Sequence, residues 1–167
     1  MVTRVTELEQ GNRRTIPGRP VGNRTINNGI AQGVGALIYS KKTKRYLFLL
    51  RDGSKYTGSW GLAGGKINEG ERITEALYRE ISEEVGIDLS QFKTIPIETF
   101  TSDNQKFVYY TFLISVDDEF VPKLNHEHRG YYWVNLIDHP KPLHPGVWRT
   151  FKFKVIVDKI AILEKLL

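Results

Sequence analysis

Apolar residues in this chain fall into short runs with two different spacings. From Ile30, IAQGVGALIY and then RYLFLLRD are runs of strand length separated by the polar turn Lys41 to Lys44, a pattern that predicts a β-hairpin. A short strand is expected within Trp60 to Ile67 and another over Lys93 to Phe100. KFVYYTFLISV alternates and is rich in β-branched and aromatic residues, and GYYWVNL repeats that character, so both predict strands. Helical spacing governs two other stretches. Leu77, Ile81 and Val85 recur every four residues and stop at Gly86, which reads as a C-terminal cap. Phe151, Val155, Ile156, Ile160 and Leu163 mark the buried side of a final helix over Val147 to Leu167. Strands interleaved with helices predict an α+β fold, an α/β/α sandwich with a mixed β-sheet between helices. No internal repeat or low-complexity segment interrupts it.

Residues 1–28 break from this pattern. They are rich in Gly, Asn, Arg and Thr, and Pro17 and Pro20 disrupt any period, so a basic, flexible N-terminal segment is expected ahead of a single domain over 29–167. A length of 167 residues with 40% hydrophobic content suffices for one packed core. Much of the +5 net charge lies early, at Arg4, Arg13, Arg14, Arg19 and Arg24. That charge would assist a polyanionic substrate or belong to a solvated tail, and the tail is favoured. Specific nucleic-acid binding would want aromatic stacking residues among the arginines, and the segment has none. With no cysteine there is neither a disulfide framework nor a thiolate zinc site. No signal-peptide core and no run of 18 apolar residues is found, so a cytoplasmic protein without a membrane partner is expected.

The chemistry concentrates in GKINEGERITEALYREISEEVGI, Gly65 to Ile87. A helix turns about 100° per residue, which puts Glu80, Glu83 and Glu84 on one face. Carboxylates so close repel and raise one another's pKa unless a cation sits among them. Oxygen ligands favour hard Mg²⁺, with Mn²⁺ as the alternative, and such ions are commonly completed by water and substrate phosphates. Arg79, eight residues after Glu71, is expected to clasp it through two hydrogen bonds, fixing the loop and keeping the guanidinium away from the metal ligands. Gly64, Gly65 and Gly70 let the loop turn and bring a carbonyl to the ion. A solvated acidic helix face is the bland alternative, but it needs none of Gly65, Glu71, Arg79 and Gly86 in register with the acids.

Gly65, five residues, Glu71, seven residues, Arg79-Glu80-Ile81, one residue, Glu83-Glu84, one residue, Gly86-Ile87 resembles the Nudix box without a mismatch. The surrounding pattern is similar to the Nudix domain from about Ile30 to the C-terminus. The resemblance implies the Nudix fold and a metal held by Gly65, Glu80, Glu83 and Glu84. It further implies catalytic roles for Glu80, Glu84 and Arg79. One departure stands beside the box: WGLAGGK has Ala63 where the family usually has proline, which is expected to loosen the loop.

Outside the box, Glu127 in NHEHRGYYW is singled out as a further metal ligand or general base, because Nudix enzymes often carry a glutamate in such a loop. Glu80 is the other candidate base. The flanking His126 and His128 would shuttle protons or be ordinary loop residues. Arg51, at the end of RYLFLLR, corresponds to an arginine that meets substrate phosphates in similar enzymes. Tyr131, Tyr132 and Trp133 are candidates to stack on a base, with Tyr131 and Trp133 preferred, although strand alternation turns neighbours apart. The implied activity is a pyrophosphohydrolase acting on a nucleoside diphosphate derivative, a (deoxy)nucleoside triphosphate first. ADP-ribose or another nucleotide sugar, or a dinucleoside polyphosphate, is the alternative. SQPWPFPXS, the marker of NADH-type members, is absent; Ser102 stands where ADP-ribose enzymes have proline, and Asn104 and Gln105 where dinucleoside polyphosphate enzymes have tyrosine. Non-nucleotide or RNA-end diphosphates and a catalytically silent Nudix-like binding module are further alternatives; the resemblance also allows a homodimer.

Overall fold

The run AQGVGALIYS folds as β1 (Ala31–Ser40) and returns through the Lys41 to Lys44 turn into β2 (Tyr46–Arg51), the expected antiparallel hairpin, with Ile38 opposite Leu47 and Tyr39 opposite Tyr46. This is a computed structural model describing residues 29–53 and 55–167; the expected basic segment 1–28 lies outside the described residues. After β2 come β3 (Trp60–Gly61), β4 (Ala63–Lys66), α1 (Ile73–Val85), β5 (Lys93–Thr101), β6 (Phe107–Val116), β7 (His128–Val134), α2 (Pro145–Lys152) and α3 (Lys154–Leu166). Short 3-10 turns at Leu89–Gln91 and Leu136–Asp138 carry no apolar period and had no counterpart in the sequence reading.

The strands form one mixed sheet in the order β3-β2-β1-β6-β5, with β4 added to β1 and β7 to β2. β1 is its spine. It runs parallel to β6 along its whole length, Ala31 opposite Phe107 through Ser40 opposite Val116. One edge of β1 is shared, β2 taking Ile38 and Tyr39 while β4 takes Gly33 to Ala36. Ala63, at the position where proline was expected, is therefore a buried strand residue opposite Ala36, not part of a loosened loop.

Period-two alternation sends the sheet's apolar side chains into two cores. Val34, Ala36, Ile38, Leu47 and Leu49 pack against Leu77, Ile81 and Val85 of α1. Leu37, Tyr39, Tyr46 and Phe48 face the other way, onto Val147 of α2 and Ile160 of α3. Burying one such side chain stabilises by roughly 1.5–3 kcal/mol, so each helix is held chiefly by its stripe. The expected single final helix is two: Phe153 is extended, with φ −81° and ψ 105°, and separates α2 from α3. Ile160 is buried as expected, whereas Val155 is 70% exposed because the break resets the helical register.

Candidate active site

β4 and α1 build the acidic site between them. Gly86, with φ 76°, ends α1 in the left-handed conformation, its N–H donating to the Ile81 and Ser82 carbonyls. At the other end, the Glu75 side chain accepts from the Arg72 N–H at 2.9 Å, satisfying a backbone donor at the helix start. The helix so fixed aims Glu84 into the sheet. Glu84 is only 2% exposed and its Oε2 accepts the Gly64 N–H at 2.6 Å. Gly64 has φ 149°, and a Cβ there would fall 2.1 Å from the Val34 carbonyl oxygen, so only glycine brings that N–H to the carboxylate. Gly65 is equally constrained, because a Cβ would lie 2.5 Å from Glu80 Oε2.

Burial is the main force on both inward acids. It pushes the Glu84 carboxyl up to about 8, the Gly64 N–H and the Arg51 charge opposing and the Glu80 and Glu127 charges adding to the rise. Glu80 is raised as well, first by burial and also by the charges of Glu83 and Glu127, against the opposing pull of Arg79. Glu127 is exposed, its N–H donating to Asn125 Oδ1 at 3.0 Å and its carbonyl accepting from the Asp52 N–H at 2.8 Å. Its charge acts on both inward helix acids from the loop before β7. His126, beside it, is exposed.

Arg79 clasps Glu71 through Nε at 2.8 Å and Nη2 at 3.0 Å, and its Nη2 also donates to the Lys66 carbonyl at 2.9 Å. One expectation is corrected. Arg79 Nη1 donates to Glu80 Oε1 at 2.7 Å and to Glu83 Oε2 at 3.5 Å, so the guanidinium shares its charge with the acid cluster instead of standing apart from it. The three helix acids also differ from one another: Glu83, 57% exposed, sits at the rim while Glu80 and Glu84, four residues apart, turn inward. Among the described residues no three His, Cys, Asp or Glu side chains are drawn together as a ready cage. The donor chemistry nonetheless fits a hard divalent cation, since Glu80 and Glu84 turn carboxylate oxygens inward and both are raised by burial and by neighbouring carboxylates despite the opposing charges of Arg79 and Arg51.

Of the candidates for substrate contact, Arg51 closes β2 partly buried, Nε donating to the Lys55 carbonyl at 3.4 Å. Tyr131, opposite Leu49, is 39% exposed. Trp133 is corrected: it is a core residue, 5% exposed, with Nε1 donating to the Phe120 carbonyl at 3.0 Å and its ring edge-on to Phe120, because strand alternation turns it towards α1. Tyr132 points to the opposite face, near Trp60. His128 is buried with neither ring nitrogen hydrogen-bonded, and burial and the Arg51 charge hold its pKa down at about 4.

Two neighbours of the site escaped the sequence reading. Tyr109 of β6 lies across β1, where a Cβ on Gly33 or Gly35 would meet its ring or hydroxyl at 2.7 and 2.2 Å, and Glu84, Arg51 and Glu80 all act on its hydroxyl. The signal was available as two glycines two apart inside a strand, which mark a close approach. His144 caps α2, Nδ1 accepting the Gly146 N–H at 3.1 Å; its signal was the HPG start of a helix.

A strand-borne glycine pair delivering backbone to a helix of inward carboxylates is the geometry by which a family can be tested, and the NUDIX domain model matches residues 29–153. The chain belongs to the Nudix family. It is 32% identical over 121 residues to the nucleoside triphosphatase NudI of Escherichia coli O139:H28, covering 66% of this chain and 81% of that protein. The MutT NUDIX hydrolase of Burkholderia pseudomallei superposes with a TM-score of 0.61 at 28% identity, over 71% of this chain and 93% of the other. The E. coli dihydroneopterin triphosphate pyrophosphohydrolase does so with 0.53 at 25% identity, over 62% and 80%. The protein is a hydrolase of phosphorus-containing acid anhydrides, of a family that generally uses divalent cations. No helix among the described residues is long and apolar enough to cross a membrane.

Proposed function

We propose that the chain is a Mg²⁺-dependent pyrophosphohydrolase of nucleoside triphosphates, with residues 29–167 as its catalytic unit and the cytoplasm, which suits a cysteine-free chain, as its setting. The observation that carries the reading is the buried Glu84, fixed by the Gly64 N–H beside an inward Glu80. Its similarity to a nucleoside triphosphatase and to a triphosphate pyrophosphohydrolase favours triphosphates over nucleotide sugars.

Glu80, Glu83, Glu84 and the Gly65 carbonyl would hold the cation. When bound, it screens the diphosphate charge and makes water a better nucleophile. The chain's own residues do the rest. Arg51 presents a guanidinium to phosphoryl oxygen. Arg79 holds the Lys66–Glu71 loop to α1, which keeps the Gly65 carbonyl in place. Glu127 is favoured over Glu80 as the base that takes the proton of the attacking water, because Glu80 already accepts from Arg79 while the exposed Glu127 carboxylate is uncommitted among the described residues. Tyr131 offers an exposed ring for base stacking.

The test is product release from nucleoside triphosphates, nucleotide sugars, dinucleoside polyphosphates and capped RNA, with Mg²⁺, with Mn²⁺ and with EDTA. Triphosphates should turn over fastest and EDTA should abolish turnover until Mg²⁺ is restored. Glu84→Gln should cut kcat by at least about 10³-fold, a loss typical of removing a group that acts at the reacting centre. A Glu84→Gln variant with wild-type turnover defeats the site assignment, and inactivity on every compound shifts the reading to a binding module.

A further inference from the structure

Beside the carboxylates, Arg51 and His144 flank Gly61, and Lys55 lies over the Tyr56 ring with Nζ 5.4 Å from its centroid. Arg51 makes no ion pair among the described residues, and its side chain's hydrogen bond runs to the Lys55 carbonyl. Gly61 keeps the space between Arg51 and His144 open: a Cβ there would stand 3.8 Å from Arg51 Cδ and 3.8 Å from His144 Cβ. His144 is fixed on every side. Its backbone N–H donates to the Trp60 carbonyl at 2.7 Å, Leu143 before it bridges to Trp60, and Tyr56 meets the ring edge-on with centroids 4.7 Å apart. Tyr56 holds this place with φ 57°, a left-handed backbone that a tyrosine seldom adopts.

The ring's hydrogen bonding decides what it can offer. Nδ1 accepts the Gly146 N–H, so in the neutral ring the proton sits on Nε2, an N–H donor with no partner among the described residues. The charges acting on that ring are Arg51 and Lys55, both cationic, and no carboxylate counters them. Arg51 also acts on Glu84, which makes this basic group continuous with the hydrolytic centre. Cations with no ion pair among the described residues, gathered with a rigid donor beside the hydrolytic centre, suit a polyphosphate.

We propose that Arg51, Lys55 and the Nε2–H of His144 form a phosphate track leading away from the carboxylates, in which Lys55 and His144 bind the phosphoryl group beyond the scissile diphosphate and so make triphosphates preferred over diphosphates. This rests on the hydrolase reading above for the direction of the track, but not for its existence. His144→Asn keeps a good helix cap, and Lys55→Met removes charge without touching α2.

Calorimetric titration of inorganic tripolyphosphate and of pyrophosphate, each with Mg²⁺, compares wild type with both variants; KM and kcat are measured in parallel for a nucleoside triphosphate and its diphosphate. Wild type should bind tripolyphosphate at least about tenfold more tightly than pyrophosphate, and each variant should remove most of that margin, an effect the size of one charge-assisted hydrogen bond. For the triphosphate, KM should rise more than kcat falls, with thermal unfolding unchanged. If His144→Asn melts early, Lys55→Met carries the same test. Equal wild-type affinity for the two polyphosphates, or a margin untouched by either variant, overturns the proposal. Loss of the margin in a protein that hydrolyses no nucleotide upholds the track and rejects the hydrolase reading.

Discussion

A single hydrogen at Cα of residue 65 is what admits the Glu80 carboxylate, since any Cβ would stand 2.5 Å from its oxygen. Gly65→Ala is therefore expected to push Glu80 outward by about an ångström. Misplacement on that scale lowers turnover by about 10²-fold. Measured kcat should fall while urea denaturation shows a fold that persists; wild-type kcat would show that Glu80 needs no such close seat. Much of this level was legible in the sequence. Spacing alone paired Glu71 with Arg79, because a loop residue at the mouth of a helix can meet a guanidinium two turns in. Spacing did not distinguish Glu83 from Glu84, which are adjacent and only about 100° apart around the axis. The sheet beneath the helix decides between them, burying one and leaving the other at the rim. Trp133 and Tyr131 share a face by alternation, and only the placement of Phe120 shows which of them is enclosed.

Between elements, Arg79 is the joint that fastens the Lys66–Glu71 loop to α1. Arg79→Ala removes its two bonds to Glu71 and the one to the Lys66 carbonyl. Hydrogen bonds to charged groups contribute roughly 1.5–3 kcal/mol, and an unfolding stability lower by about that amount is expected, together with a loss of turnover. Denaturation midpoints in urea, at constant m-value, measure the first effect, and an unchanged midpoint would show the joint to be ornamental. Strand and helix order were readable because their hydrophobic periods differ. The division of α2 from α3 was not, since TFKFK contains neither glycine nor proline. Tertiary contacts impose it: Phe151 packs edge-on to Phe48, while Phe153 lies partly exposed near Arg149.

Across the whole molecule, the sheet buries one group that should register in stability at acid pH. His128 is enclosed, its nitrogens unpaired, its pKa lowered from 6.5 to about 4. The unfolded chain takes up this proton first as pH falls, so native stability is undiminished above 6.5, declines between 6.5 and about 4, and loses no more below that. The full loss is on the order of 3 kcal/mol. His128→Phe should flatten the decline in urea unfolding measured from pH 7 to pH 4, and a variant as acid-sensitive as wild type would place the cause elsewhere. At the centre of the same sheet, Tyr109 covers Gly33 and Gly35, joining positions far apart in the chain. Neither glycine has room for a side chain while the tyrosine stays, and a smaller residue at 109 would leave the glycines' bare backbone uncovered. A side chain at either glycine would thus have to displace a ring that the charges of Glu84 and Glu80 already reach, tying the spine of the fold to its acids.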